Sequence, residues 1–378
     1  MGESDFLDKL SSGDLIFGRG VNLEIVDIKV KPLNLKLKSP FITAAGPLNE
    51  VKNVYVEVHT NSSLIGIGEA AFEPRVTGET QESIISVINE YIKPAILGED
   101  PRDIEKVEEK ISKAIHGNES AKAGVDIALF DILGKCYNVP LYKLLGGYKN
   151  SLETDFTISL DEPEKMAYDA KEAVKEGFKI LKIKVGVDST KDYQRVKMIR
   201  ENVGDDIKIR LDANQGWYVK EAVFLMKMLE EYNIELLEQP VKSWDIEGLE
   251  YLKNVLLLPV VADESVFTVY DALNIIKLNA ADMINIKLMK CGGIYNAIII
   301  NKIAEVAGIE CMIGCMIESK ISITAAAHFA AAFKNVTKAD LDSPLFFESD
   351  PVADGITYDS GKVILPNSLG LGISKRIL

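Results

Sequence analysis

Apolar and polar residues alternate one by one through the first part of the chain, and then the period changes. NLEIVDIKVKPLNLKL (22–37) and NVYVEVHTNSSLIGIGEA (53–70) alternate as strands do, with Asn61-Ser62-Ser63 as a turn. From residue 80 the apolar positions recur three and four apart. TQESIISVINEYIKPAIL (80–97), opening on Thr80 with Ser83 three residues on, and SAKAGVDIALFDILGKCYN (120–138) predict helices. Residues 21–150 therefore predict an α+β unit.

From Thr154 the pattern becomes a repeat of short apolar strand, turn and amphipathic helix. TDFTISL, ILKIKVG, DIKIRLDAN, IELLEQP, PVVADES, MINIKL, ECMIGCM and a short run leading into ADLD are the strand candidates. Runs such as EPEKMAYDAKEAVKEG and VKEAVFLMKMLEEY separate them. Eight strands at steps of roughly 25 residues predict an α/β fold, a (β/α)8 TIM barrel or its (β/α)7β relative with one helix fewer, over residues 151–346. The tail, with GITYDSGKVILP (355–366), reads as a hairpin, and 347–378 is expected to rejoin the first unit. Residues 1–20 read as a flexible extension or a short covering helix.

Charge narrows the partners. Lys and Arg number 43 against 57 Asp and Glu, a net charge of −14. Neither nucleic acid nor an anionic membrane suits that balance, since both require clustered positive charge. No apolar run is long enough to span a bilayer, and the first 20 residues lack a signal peptide's basic start and apolar segment. The cysteines, Cys136, Cys291, Cys311 and Cys315, form no C-x-x-C pair, which fits free thiols in a cytoplasmic protein. Of the histidines, His59, His116 and His328 all miss the predicted strand ends, and His328 reads as a helix residue near the core.

In such barrels the chemistry sits at the carboxyl ends of the strands. Asp212, Glu238 and Asp263 end the third, fourth and fifth, 26 and 25 residues apart, one repeat each. Three carboxylates brought to one rim repel unless a cation joins them, and oxygen ligands without His or Cys suit Mg²⁺. Lys182 and Lys184 share one face of the second strand, and Lys287 comes from the sixth, otherwise apolar. A buried lysine near positive charge can act as a base. Lysines on opposed sides of a chelated carboxylate could remove an α-proton from one face and return it to the other, which is racemisation or epimerisation. Asp340 and Asp342, in ADLDSP, would present two carboxylates on one side of the last strand.

This set resembles the enolase superfamily, and within it is similar to the muconate-lactonising subgroup and its dipeptide epimerases. The motifs are Lys182-Ile183-Lys184, Asp212-Ala213-Asn214, Glu238-Gln239-Pro240, Asp263-Glu264-Ser265, and Lys287 followed by Gly292-Gly293. A lysine base with Mg²⁺ is a known pattern of that superfamily. The resemblance implies a capped barrel, Lys184 and Lys287 as acid and base, Lys182 as auxiliary to Lys184, and one Mg²⁺ on Asp212, Glu238 and Asp263. It implies a dipeptide substrate whose α-ammonium meets Asp340 and Asp342. GCMIES (314–319) resembles the seventh strand end, so Cys315, Met316 and Glu318 are expected in the pocket with Thr157. Asn214, Glu264 and Asn285 are expected to support the primary groups. A homo-oligomer is expected.

One stretch departs from the pattern. The loop SPFITAAGPLNE (39–50) resembles the cap loop that meets the substrate side chain, where Ala-Glu epimerases tend to carry arginine. Thr43-Ala44-Ala45-Gly46 has none. The sequence therefore favours an apolar, small or cationic side chain over glutamate. The rival readings are an N-acylamino acid racemase, o-succinylbenzoate synthase or cycloisomerase of the same subgroup, and an inactive barrel serving as a binding protein.

Overall fold

The computed structural model describes residues 22–44 and 46–374; the extension read at 1–20 lies outside them. Strands β1 (Ile25–Thr43), β2 (Gly46–Thr60) and β3 (Ile65–Ala70) form an antiparallel sheet in sequential order. Alternation places Ile28, Val54, Val56 and Val58 in one core with Ile84, Ile88 and Leu129 from the helices behind. The helix expected over 80–97 begins at Gln81 on a Thr80–Ser83 capping box. It widens into a π turn at Ile88–Ile92 before Lys93–Ile96. Pro94 explains the change, since it has no N–H to return to Glu90.

The Glu119–Cys136 helix is buried on nearly every side. It lies against the cap sheet so closely that a Cβ at Gly66 or Gly68 would stand 1.9 or 2.0 Å from the carbonyl oxygen of Ala128 or Gly124. Two carboxylates bind this helix to the rest. Asp126 accepts the amides of Ile294 and Tyr295 at 2.5 and 3.1 Å, on the barrel. Asp131 accepts Ile67 N at 3.0 Å and Leu371 N, from the tail, at 2.9 Å.

The barrel strands are β5 (Phe156–Ile158), β6 (Ile180–Lys184), β7 (Lys208–Asp212), β8 (Ile234–Glu238), β9 (Val260–Ala262), β10 (Met283–Ile286), β11 (Glu310–Ile313) and β12 (Val336–Ala339). They pair in parallel and in order as one curled eight-stranded sheet. A helix follows each of the first seven, and only a 3-10 turn, Ser343–Phe346, follows β12. The fold is thus the capped (β/α)7β barrel. Leu236, Val261, Met283 and Met312 form an apolar plug inside it. No ladder joins β5 to β12 among the described residues. Three bonds cross that seam instead: Asp155 N to Ala339 O (3.4 Å), Leu341 N to Thr154 Oγ1 (2.9 Å) and Thr157 N to Asp342 Oδ2 (2.6 Å). From β7, Arg210 braces the seam internally, donating to Asp155 Oδ2 at 2.7 Å and Ala339 O at 3.0 Å.

The tail differs in detail from expectation. Its hairpin, β13 (Thr357–Asp359) and β14 (Lys362–Ile364), adds to β4 (Ser151–Glu153), which precedes the barrel, and not to the cap sheet. The flanking segments return to the first unit, through Glu348 N to Lys36 O and Leu141 N to Gly370 O. No described helix is long and apolar enough to cross a membrane.

His328 lies fully buried in the Lys320–Ala332 helix, as expected. Its Nδ1 accepts the Tyr142 amide at 2.9 Å, tying this barrel helix to the chain that leaves the cap. Burial pushes its pKa down to about 3. A folded pKa below the unfolded one gives stability that is present above the unfolded pKa and lost as pH falls toward the folded one. His328 should therefore remove about 2 kcal/mol between about pH 7 and about pH 5. Urea unfolding at both pH values should show a flatter dependence in His328→Gln than in wild type.

Candidate active site

Strand register brings the charged groups into one row. Lys184 on β6 pairs with Asp212 on β7, and Asp212 pairs with Glu238 on β8. Asp263 follows β9 directly, and Lys287 follows β10. Lys287 is thus the first residue past its strand rather than within it. Asp212, Glu238 and Asp263 are all fully buried. Between them the turn after β8 is held by Gln239, whose φ of 33° lies in the left-handed region. Gln239 Oε1 accepts the amides of Asp263 and Ser265 at 2.9 and 3.1 Å, which fixes the end of β9 against β8.

Ammonium groups thread the carboxylates. Lys182 Nζ lies 3.0 Å from Asp212, 2.9 Å from Glu238 Oε2 and 2.7 Å from Asp340. Lys184 Nζ lies 2.6 Å from Asp212 Oδ2 and 3.1 Å from Asn214 Oδ1. Lys287 Nζ lies 2.7 Å from Asp263 Oδ2. Burial alone would raise Asp212, but Lys182 and Lys184 hold its carboxyl below the usual range. Asp263 is likewise held low, against its burial, by Lys287 and Lys290. Burial, and then Asp212, push Glu238 up to about 8. Lys287 and Lys182 both rise against burial because of the carboxylates they touch, chiefly Asp263 and Asp212 respectively.

The three carboxylates suit a hard divalent cation in their chemistry, and Glu238 and its neighbour Glu264 have spare capacity for one. Glu238 Oε2 stands near Lys182 but accepts no well-directed hydrogen bond, and Glu264 Oε2 has no partner either, although both are buried. Such orphaned oxygens are what an oxygen-coordinated Mg²⁺ would satisfy. Asn285 Nδ2 donates to Glu238 Oε1 at 2.8 Å, and Asn214 Nδ2 to Glu264 Oε1 at 3.2 Å.

Across the rim, Asp340 and Asp342 stand past the end of β12, not on an extended strand. Asp342 has φ −100° and ψ −6°, because the chain already turns into Ser343–Phe346. Both nonetheless line the cavity, with Lys184, Lys287, Thr157 and Cys315. Asp340 already holds Lys182, and Asp342 holds the Thr157 amide. Burial would raise Asp340, but Lys182 keeps it low; burial, then Asp340, push Asp342 up to about 7. Cys315 Sγ and one oxygen of each aspartate lie within 4.8 Å of one another. Burial and both aspartates push the thiol well up, so it stays an S–H.

Met316, Asn214 and Glu264 also line the cavity. Glu318 does not. It turns back to accept Met316 N and Ser322 Oγ, both at 2.6 Å, and so serves its own loop and the start of the next helix. A carboxylate two residues before a helix start finds amide and hydroxyl donors locally, which outcompete a reach into the pocket.

The sequence reading missed two cations. Lys290, three residues after Lys287, contacts Asp263 Oδ1 at 2.5 Å. Arg75, in the segment after β3, reaches the cavity mouth. A Cβ at Gly46, whose φ is +115°, would stand 2.7 Å from Arg75 Nη1. Arg75 thus stands beside the loop that lacks an arginine of its own, with Nε 3.7 Å from Glu73.

Known proteins share this architecture. Residues 25–146 match the N-terminal domain family of mandelate racemase / muconate lactonizing enzyme, and residues 165–376 match the enolase C-terminal domain-like family. The L-Ala-D/L-Glu epimerase of Clostridium acetobutylicum is 49% identical, over 92% of this chain and 98% of that protein. A substrate-liganded L-Ala-D/L-Glu epimerase structure from Bacillus subtilis superposes with a TM-score of 0.93 at 44% identity, covering 94% of this chain and all of that one (100%). A dipeptide epimerase from Enterococcus faecalis V583, complexed with Mg and L-Leu-L-Tyr, gives 0.91 at 47% identity, covering 93% and 99%. The chain belongs to the mandelate racemase and muconate lactonizing enzyme group of the enolase superfamily.

Proposed function

We propose that this protein is a Mg²⁺-dependent dipeptide epimerase, inverting the α-carbon of the C-terminal residue of a dipeptide. The observation that carries this reading is one cavity that Lys184, Lys287, Asp340 and Asp342 line together. A cation held by Asp212, Glu238 and Asp263 would take the substrate carboxylate and stabilise charge building on it. Lys184, once its ammonium has given a proton to solvent, would accept the α-proton, breaking C–H and forming N–H, while Lys287 delivers its own proton to the opposite face. The two lysines exchange protonation states, and the reverse turnover restores them. Lys182 would keep a fixed positive charge beside Asp212 as Lys184 changes state.

Asp340 and Asp342 suit the substrate ammonium, which offers three donors. An N-acylated amino acid would leave both carboxylates facing a neutral group, which favours the dipeptide over the N-acylamino acid racemase reading. For the substrate side chain, Arg75 removes the ground for disfavouring glutamate. An arginine missing from the 39–50 loop is supplied by another segment, beside apolar lining from Phe41, Leu48 and Val76.

The direct test is a dipeptide library incubated in D₂O with Mg²⁺ and read for α-deuterium by mass spectrometry; no uptake into any dipeptide would refute the proposal. Within it, Lys184→Ala should stop exchange from one epimer and Lys287→Ala from the other, with neither variant interconverting them. Near wild-type epimerisation by either variant would exclude two bases.

Asp342→Asn should lower kcat/KM on free dipeptides by about ten- to a hundredfold, the worth of one charge-assisted contact, and affect N-acetylated ones far less. Equal losses on both would overturn ammonium recognition. Arg75→Gln should cost dipeptides with an acidic C-terminal residue about tenfold or more in kcat/KM, leaving apolar ones within about twofold. Equal sensitivity would remove Arg75 from substrate recognition.

A further inference from the structure

Each of the two lysines that face the cavity shares its carboxylate with a second, wholly buried lysine. Lys184 and Lys182 both contact Asp212 Oδ2, at 2.6 and 3.0 Å. Lys287 and Lys290 both contact Asp263, through Oδ2 at 2.7 Å and Oδ1 at 2.5 Å. The side chains of Lys182 and Lys290 are each 1% exposed, against 8% for Lys184 and 11% for Lys287. The arrangement is therefore doubled, on opposite flanks of Glu238.

We propose that Lys290 is a positioning residue for proton transfer at Lys287: it claims one oxygen of Asp263, so that Lys287 is held by the other alone and keeps its Nζ in the cavity. The inference rests on the two-lysine reading above. An ammonium has three N–H donors, and Lys290 spends all three. It donates to Asp263 Oδ1, to the Asp263 carbonyl, and to Asn285 O at 3.2 Å. Its stem passes the Phe267 ring, with Nζ 5.6 Å from the centroid. Lys290 does not line the cavity, so it does not touch the reacting atoms. What it does is fix the Asp263 carboxylate in rotation at two points, side chain and main chain. The Lys287 ammonium, by contrast, makes one hydrogen bond among the described residues, to Asp263 Oδ2.

Without Lys290, Asp263 Oδ1 would lose its hydrogen-bond donor, which is costly for a buried carboxylate. Asp263 would then be held through its other oxygen by Lys287 and by the cation it would help to bind. No longer fixed at Oδ1, the carboxylate would turn toward Lys287 and draw Nζ out of line with the substrate. The defect would fall on one face of the α-carbon, since Lys184 is held by Asp212 and Asn214. A loss of general packing would instead fall on both faces.

The test uses the Mg²⁺-loaded protein and two readouts. Exchange of α-hydrogen for deuterium is measured from each epimer separately in wild type and Lys290→Met. We expect exchange through Lys287 to fall at least about tenfold more than exchange through Lys184. Without substrate, amidination by methyl acetimidate followed by peptide mass spectrometry gives the labelling rate of Lys287 relative to Lys184, and this ratio should fall several-fold. Equal losses on both faces, or an unchanged labelling ratio, would overturn the proposal. Lys290→Gln, which keeps a donor for the Asp263 carbonyl, carries the same measurements if Lys290→Met does not fold. A protein that folds with neither puts Lys290 in the scaffold and overturns the proposal too. If wild type exchanges no dipeptide, the epimerase reading fails, and the labelling ratio still decides the role of Lys290.

Discussion

Buried negative charge governs this molecule. Asp212, Glu238, Asp263, Asp340 and Asp342 all lie buried at one rim of the barrel, where each would strongly oppose ionisation of the next. The fold supplies four ammonium groups to the same rim, on β6 and just past β10. Neither set is tolerable alone. The apolar plug of Leu236, Val261, Met283 and Met312 lies within the same barrel and keeps the setting of these charges weakly polar. Relieving one carboxylate changes the field at its neighbours, and the proposed proton transfer at a lysine would draw on that coupling.

Two further carboxylates carry the same logic to the joint between cap and barrel. Asp126 meets the amides that begin the Ile294–Val306 helix, and Asp131 meets a strand of the cap sheet and the tail. Both extend from the Glu119–Cys136 helix, which is buried on nearly every side. The cap is thereby held over the rim by directed bonds as well as by apolar packing, and Arg75 lines the same cavity as Lys184 and Lys287.

Much of this was legible in the chain. Asp212, Glu238 and Asp263 recur at one phase of a repeat, and repeat phase survives folding because each strand and helix consumes a similar length. Lys184 and Lys287 were legible as charges in apolar strands. What could not be read were contacts made across the repeat. Arg75 sits 29 residues from Gly46 in sequence yet beside it in space, and nothing local marks it. Lys290 looks like one more surface lysine until the short Leu288–Cys291 helix turns it back under Asp263. Glu318 misled in the other direction, since a carboxylate near a helix start satisfies itself locally. The tail hairpin chose β4 because strand pairing is decided by which edge is open, and alternation alone does not say.

The seam between β5 and β12 ties recognition to architecture. Asp342 closes the barrel through the Thr157 amide and also faces the cavity. Thr157 lines that same cavity from the other side of the seam. If Asp342 also takes the substrate ammonium, as proposed, it has little room to vary: a new amine-free substrate would have to be accommodated without giving up the bond that completes the circle. The mouth, where Arg75 and Val76 follow β3 and Phe41 and Leu48 lie near the ends of β1 and β2, bears no such double duty. Divergence among descendants of this chain should accumulate at the mouth and leave the seam alone, so that new specificities arise by exchanging the substrate's side chain far more readily than by exchanging its amino group.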